Sequence, residues 1–446
     1  MLIEPQFRTG ISDHIWSGRA RLGRMIAFEV ELAAAQAECG LVPEEAAKAI
    51  RLAGEAEGLE AGAIFEAARD AGNPAIPFAA AFTAHVASLD KAASRHVHFG
   101  ATSQDVIDTA QMLALKATVA QMTSDLSRTL ARLRDLALTH AETPIAARTL
   151  LQQATPITFG AKAAHWYLGL KTAAAALADA RARDLVVQLA GASGTLAVLH
   201  PHGAAVRARL AERLGLSDPG GNWQTARAPL VGLASAILGV VQMASKIAGD
   251  IQFLASTEVG EVVETLRAGG GGSSAMPHKR NPVDSLVPVA ALPVISGLVA
   301  ALGSTGAQEQ ERSPGRWHAE WSVVPVLSTL ALATTERLAD LLDGLAVDED
   351  RMGANLDRLD GLLASEALSS ALAEAIGRGG AKALSGELVA RVRAERRHLH
   401  AIALSDARVT SVLSEDRLAA IFDYRDAIAA AAADARRIIA DKSATI

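Results

Sequence analysis

Three features of the sequence predict an all-α chain, with a long central five-helix bundle and smaller helical N- and C-terminal domains. Half of the 446 residues are apolar but only 4% are aromatic. Alanine and leucine must therefore fill the core, which favours closely packed helices over a β-sandwich. Apolar residues recur at alternating spacings of three and four, the period of bundle helices. Strand-like alternation is nearly absent.

The first hundred residues carry short helical patterns, broken at Gly40, at Gly72-Asn73-Pro74 and at Gly100. From Gln104 the three-four spacing runs through Val106, Ala110, Leu113, Ala117 and Ala120. It resumes slightly out of phase at Val119, Met122, Leu126, Leu130, Leu133 and Ala137. A second long helix fits Phe159 to Leu189 and stops before Gly191-Ala192-Ser193-Gly194. A third puts Leu233, Ile237, Val240, Ala244, Ile247, Ile251 and Leu254 on one seam. Two more complete five rods: one opening on Asn281 as N-cap and Pro282 as first helical residue, and one after Glu320. Shorter helices follow at 361–376 and 380–396. The expected domains are 1–103 for the head, 104–350 for the bundle and 351–446 for the tail.

Bulk composition narrows the function. The net charge is −6 with no long basic block, which argues against a nucleic-acid surface. The single cysteine, Cys39, excludes an intramolecular disulfide and a cysteine metal cluster. The opening "MLIEPQFRTGISDHIWSG" has no basic segment followed by an apolar run, so the expected location is cytoplasmic. Two uncharged stretches, 228–245 and 285–308, approach membrane-spanning length. The second contains Pro288, Pro293 and Gly297, and "EQERSPGR" follows it at once. A helix apolar all round also suits the centre of a large assembly, and that is the expectation, with no membrane.

Three stretches carry chemistry. In "HFGATSQDVIDTA", residues 98–110, Thr102 to Asp105 fits the S/T-x-x-D/E signature of a helix start. Thr102 and Ser103 there read either as plain caps or as a carboxylate site of hydroxyls, free N–H groups and helix dipole. His98, beside Phe99, is either a packed side chain or a catalytic one. In "ARTLLQQATPITFG", residues 147–160, Arg148, Thr149, Gln152 and Gln153 form a polar stretch before a long helix. In "GGGGSSAMPHKRNP", residues 269–282, glycines permit movement and close approach to a ligand beside the densest positive charge in the chain. Ser273-Ser274-Ala275-Met276 separates the glycines from Lys279, which excludes a phosphate-binding P-loop.

In this order and spacing, the three stretches resemble the fumarase/aspartase superfamily over essentially the whole chain. The resemblance implies an all-α homotetramer whose bundles join into a twenty-helix core. Each active site then draws the three stretches from three subunits. It also implies that the loop closes over an anionic substrate, with Ser273 as the base that takes a proton from a carbon beside a carboxylate. Lys279 and Asn281 then hold carboxylates, Thr102 and Ser103 a further one, and Thr149 and Gln152 contact substrate. No cofactor and no metal are implied. Proton removal there creates a doubly charged aci-carboxylate, which the basic run and N–H donors would stabilise. Lys279, His278 and helix N-termini in a closed, dry loop would lower the serine pKa.

Two departures refine the resemblance. Members that cleave C–N or C–O bonds usually carry a histidine after the threonine, but here Leu150 stands there, and leucine cannot transfer a proton. The place of a head-domain Arg-His-Asp triplet reads Gly72-Asn73-Pro74. Both departures resemble the branch of the superfamily that closes a lactone within a small tricarboxylate, as do "GNPAIPF", "QLAGASGTLAVL" and "ERSPGRWHAEW". There an internal carboxylate is the leaving group of the reverse reaction and needs no acid. A tricarboxylate asks for more cations than Lys279 alone, which makes Arg312 a candidate contact. Arg316, Trp317 and His318 either line the site with it or form an exposed loop. The competing expectations are a fumarate-releasing lyase and a non-catalytic structural member.

Overall fold

The structure is a computed structural model that describes residues 3–265 and 270–441. The ends of the expected head and tail at 1–2 and 442–446, and the first glycine of the 269–281 loop, lie outside the described residues. Among the described residues, the regular structure comprises seventeen α-helices, five short 3-10 helices and two small antiparallel sheets.

The head holds α1 (Gly10–Ile15), α2 (Gly18–Glu38), α3 (Glu44–Glu55), α4 (Ala61–Ala71) and α5 (Ala75–Leu89). A reciprocal cap between Thr9 and Ser12 opens α1, and Ser17 accepts the Ala20 N–H to open α2. The long α6 (Ser103–Thr139) follows, then a hairpin of β1 (Pro144–Thr149) and β2 (Gln152–Thr158). Next come α7 (Phe159–Asp184), α8 (Gly203–Leu214), α9 (Ala228–Leu254), β3 (Val262–Glu264), α10 (Leu286–Thr305) and α11 (Arg316–Asp343). After β4 (Leu345–Val347), which pairs with β3, the tail runs through α12 (Glu349–Leu356), α13 (Ser365–Glu395), α14 (Leu399–Ser405), α15 (Ala407–Thr410), α16 (Glu415–Phe422) and α17 (Arg425–Ala440).

The five long rods are α6, α7, α9, α10 and α11, of 20 to 37 residues. The phase shift near Val119 needs no break, because α6 is one helix. Its buried stripe is Met112, Leu115, Val119, Met122 and Leu126, whereas Ala120 is exposed and Leu113 and Ala117 are half-covered. The expected positions Val106 and Ala110 are buried, and the stripe departs from the expected one only between Met112 and Ala120. All seven predicted seam positions of α9 are buried. Both α9 and α10 are long and apolar enough to cross a bilayer by length and composition, but only 28% of the apolar window of α10 is buried within this chain.

Five expectations need correction, the simplest being the fifth rod, which opens at Arg316 and not after Glu320. The second rod stops at Asp184, because Leu185 to Leu189 are buried in extended backbone: Ser217 donates to the Leu185 carbonyl and Val187 to the Ser217 carbonyl, both at 2.9 Å. The fourth rod starts at Leu286, not at Asn281-Pro282. The Glu264 carboxylate takes the N–H groups of Val283 and Asp284 at 2.7 and 2.6 Å and the Ser285 hydroxyl at 3.0 Å. A carboxylate twenty residues upstream thus holds these residues in a turn ahead of the helix. The polar loop after α6 is a hairpin. The tail helices 361–376 and 380–396 are α13, beginning at Ser365 and turned at Gly377 (φ 72°, ψ 159°), so the expected break lies inside it.

The chain divides into two compact units: 1–126, 173–245 and 287–337 form unit 1, and 127–172, 246–286 and 338–446 form unit 2. In unit 1, fully buried Arg227 bridges Asp108 at 2.7 Å and Glu320 at 2.5 Å. Trp317 donates to Asp108, while Thr305 and Gln308 donate to Glu320. This network joins α6, α10 and α11. In unit 2 the tail has its own core around Leu368, Leu372, Leu384, Leu388, Ile402 and Leu418.

Candidate active site

In unit 1 the start of α6 gathers three of the candidates, Thr102, Ser103 and Arg312. Thr102 donates its backbone N–H to Asp105 at 3.0 Å, the return half of a capping box. Its hydroxyl is not spent on the helix, and accepts from Arg312 Nη2 at 3.0 Å. Arg312 also donates to Gln104 Oε1 at 3.1 Å and to the Ala192 carbonyl at 3.3 Å. The Ser103 hydroxyl has no partner among the described residues. The first turn of α6 also offers N–H groups that the helix cannot satisfy.

Asp105 holds this corner in place. Besides Thr102 it accepts the N–H groups of Ala190 and Gly191 at 3.1 and 3.0 Å. Burial pushes its pKa up to about 7; the three N–H bonds oppose the rise and the neighbouring Asp108 charge adds to it. Gly191 has φ 73°, and a Cβ there would stand 3.3 Å from the Gly100 carbonyl, so this approach requires glycine.

His98 stands just outside, at φ 60°. Its Nδ1 lies 2.6 Å from Glu29 Oε1, and its backbone N–H donates to Glu29 Oε2 at 2.8 Å. Burial disfavours the imidazolium, but the Glu29 hydrogen bond and the charges of Glu29 and Asp105 outweigh it, so the pKa is raised. Nε2 has no partner among the described residues and is the atom available to a ligand.

The remaining candidates of this group separate. Trp317 is buried and bonded to Asp108, so it belongs to the core and not to an exposed loop. Arg316 pairs with Glu309 at 3.1 Å on the surface. His318 packs its ring on Trp321 with centroids 4.5 Å apart.

Unit 2 holds the other two stretches. The β1–β2 register places Thr149 directly opposite Gln152, so the two exposed side chains share one face of the hairpin beside its tip. The tip is Leu150-Leu151, with φ 50° and 64° and exposures of 96% and 72%. Positive φ at both central residues is what a two-residue type I′ turn demands, usually of asparagine and glycine. Arg148 faces inward: it makes a two-pronged bond to buried Glu261 at 2.8 and 2.6 Å, and Asn355 donates to the same carboxylate at 2.8 Å. Gln153 donates to the Asn355 carbonyl at 3.0 Å. Arg148 and Gln153 therefore position the hairpin. Glu261 and Asn355 gave no sequence signal, because nothing local marks a single acid as the partner of an arginine 113 residues away.

The glycine-rich stretch folds back on itself. Gly272 bridges Arg280, and Asn281 donates to the Gly271 carbonyl at 2.8 Å. Ser273 Oγ accepts the N–H groups of Ala275 and Met276 at 3.3 and 3.0 Å. Donors aimed at a hydroxyl oxygen favour its ionised form. Residues 274–280, with His278 and Lys279, are exposed. No hydrogen bond among the described residues joins the hairpin tip to Ser273, Lys279 or Asn281. A cavity of about 430 Å³, also in unit 2, lies between β2 and the tail helices and holds none of these candidates.

A family model described as Lyase matches residues 11–295. The chain belongs to this lyase family, that of the fumarase/aspartase superfamily. Among its relatives, a 3-carboxy-cis,cis-muconate cycloisomerase of Pseudomonas aeruginosa is 42% identical over 99% of this chain and 96% of its own length. A nitrosuccinate lyase of Streptomyces davaonensis is 43% identical over 84% of this chain and 79% of its own. The crystal structure of a 3-carboxy-cis,cis-muconate lactonizing enzyme from Pseudomonas putida has a TM-score of 0.89 at 38% identity, covering 97% of this chain and 98% of that one.

Proposed function

We infer that this chain is a 3-carboxy-cis,cis-muconate cycloisomerase, which interconverts the open tricarboxylate and 4-carboxymuconolactone in protocatechuate degradation. The observation that carries the reading is Leu150: at the tip between Thr149 and Gln152 stands a side chain with no transferable proton, beside relatives of that name over nearly the whole chain. In the lactonising direction one carboxylate oxygen of the substrate attacks its own double bond. The C–O bond forms as the π electrons take up one proton on the carbon beside another carboxylate. In reverse the carboxylate leaves as an anion and needs no acid.

Ser273 moves the proton in this reading. Its oxygen already receives two N–H bonds, which support the alkoxide needed to accept a proton. Lys279 and Asn281 hold the carboxylate that becomes the aci-anion. Thr102, Ser103 and Arg312 hold a second, and Thr149 and Gln152 contact the substrate. His98, through Nε2, is the alternative proton carrier. The domains keep the division at 103 and 350.

The enzyme is further proposed to be a cytoplasmic homotetramer with shared sites. Sparse covering of α10 within one chain supports partner helices as its cover. Purified protein is expected to turn over 3-carboxymuconate with loss of the diene and without fumarate release. Fumarate release from a succinyl substrate, with no lactone formed, would replace the reading with that of a lyase. Sedimentation of an active monomer would overturn the assembly. So would failure of Ser273→Ala and Thr102→Ala proteins to restore activity when mixed.

A further inference from the structure

A second cationic feature of unit 1 has been given no role so far. Arg21 and Arg24 sit one turn apart on α2 and face a cavity of about 90 Å³. Trp16, Gln111 and Trp321 complete its polar lining, and apolar side chains of α6 with Pro325 close it. No carboxylate lines it, and neither arginine makes an ion pair among the described residues. Arg24 Nη2 donates to the Ile15 carbonyl at 2.6 Å, but its Nε is buried without a partner. Arg21 lies 5.1 Å from the centre of the Phe65 ring. The indole N–H groups of Trp16 and Trp321 are also buried without partners.

These groups share one chemistry. Two guanidinium groups and two indole N–H groups can donate and cannot accept, and the one acceptor in the polar lining, the Gln111 amide oxygen, is neutral. Buried donors without partners cost free energy, and two neighbouring cations repel. Only an acceptor carrying negative charge relieves both. We propose that this cavity binds a small oxyanion, the head of a carboxylate or a phosphate. Burial lowers the pKa of both arginines, that of Arg24 to about 10 with the charge of Arg21 adding to the effect, and a bound anion would reverse this.

Trp16, Trp321 and Pro325 also wall a second cavity of about 370 Å³, where Arg8 lies 3.6 Å from Asp13. It gives the ligand room to extend beyond its anionic head. Ile107 and Gln111 place the smaller cavity about one and two turns along α6 from Ser103. The oxyanion is therefore either free or the far carboxylate of a substrate held at the helix start.

The test titrates the full-length protein with inorganic phosphate at fixed ionic strength, followed by calorimetry and thermal shift. Saturable binding is expected. Arg24→Gln should weaken it at least tenfold, and Trp321→Phe, which keeps a ring but removes the N–H, about threefold to tenfold. Phosphate inhibition competitive with the tricarboxylate identifies the substrate's own carboxylate as occupant; inhibition or activation of another type identifies a free oxyanion. Absence of saturable binding, or affinity unchanged in both variants, overturns the proposal. If Arg24→Gln does not fold, Trp321→Phe decides alone.

Discussion

Thr102 and Ser273 are hydroxyls offered to the same class of ligand, yet their surroundings are opposite. Thr102 is fixed by Arg312 and Asp105, and Gln104 beside it is buried and donates to Asp108 and the Gln224 carbonyl. The chain of partners ends on Arg227 and Glu320, buried in the core. Ser273 receives only N–H groups of its own loop, and the seven residues after it are exposed. One hydroxyl is thus held by the fold and the other only by its loop. A change at Ser273 should therefore alter chemistry without stability, and a change behind Thr102 should do the reverse.

The largest effect tests the loop side. Ser273→Ala is expected to lower kcat by at least about 10²–10⁴-fold, the usual worth of general acid–base catalysis, with Tm and inhibitor binding nearly unchanged. Near wild-type turnover would move the proton to another group, with His98 the first to examine. The next tests the fold side. Arg227→Met leaves Asp108 and Glu320 buried without their cation, so a loss of about 3–5 kcal/mol in unfolding free energy is expected in a denaturant titration. A loss below about 1 kcal/mol would show that the α6 corner does not lean on this network.

A smaller, pH-dependent effect belongs to His98, which stands between the two extremes. Its pKa is raised in the fold, chiefly by Glu29 acting against burial. The sign follows: the pair stabilises fully below the unfolded histidine pKa of about 6.5, and the contribution is lost as pH rises through the higher folded value. His98→Asn keeps a residue that tolerates φ 60°. Its Tm should fall further below wild type at pH 5.5 than at pH 9. A gap independent of pH would assign His98 to packing alone.

What the sequence revealed follows the same contrast. The long rods were legible because alanine and leucine repeat at helical period, and the opening of α6 because Thr102 and Asp105 stand three apart. The partners that fix these elements were not legible. Asp105 reaches Ala190 and Gly191, Glu264 caps the backbone at 283–284, and Glu261 clasps Arg148, each a single acid at no regular spacing from its partner. The hairpin was missed because its turn is Leu150-Leu151, where asparagine and glycine are the usual signal. The loop motif was legible, but not the helix start after it, since Asn281-Pro282 imitates a cap while Glu264 holds 283–285 in a turn before Leu286.

The smallest effect concerns that turn. A non-glycine residue with positive φ costs about 1–2 kcal/mol, and exposed leucines at 150 and 151 recover none of it within one chain. Burying a leucine side chain gains about 1.5–3 kcal/mol, enough to offset the strain if another copy covers the tip. Leu150→Asn separates the two cases, since asparagine tolerates the backbone but offers no apolar contact. With the tip covered, as the tetramer proposal has it, the variant should dissociate at higher protein concentration than wild type. Its Tm should fall on dilution, because assembly stabilises by mass action. A variant more stable than wild type at every concentration would mean that the tip stands free, and the hairpin would then have to meet the substrate without a partner subunit around it.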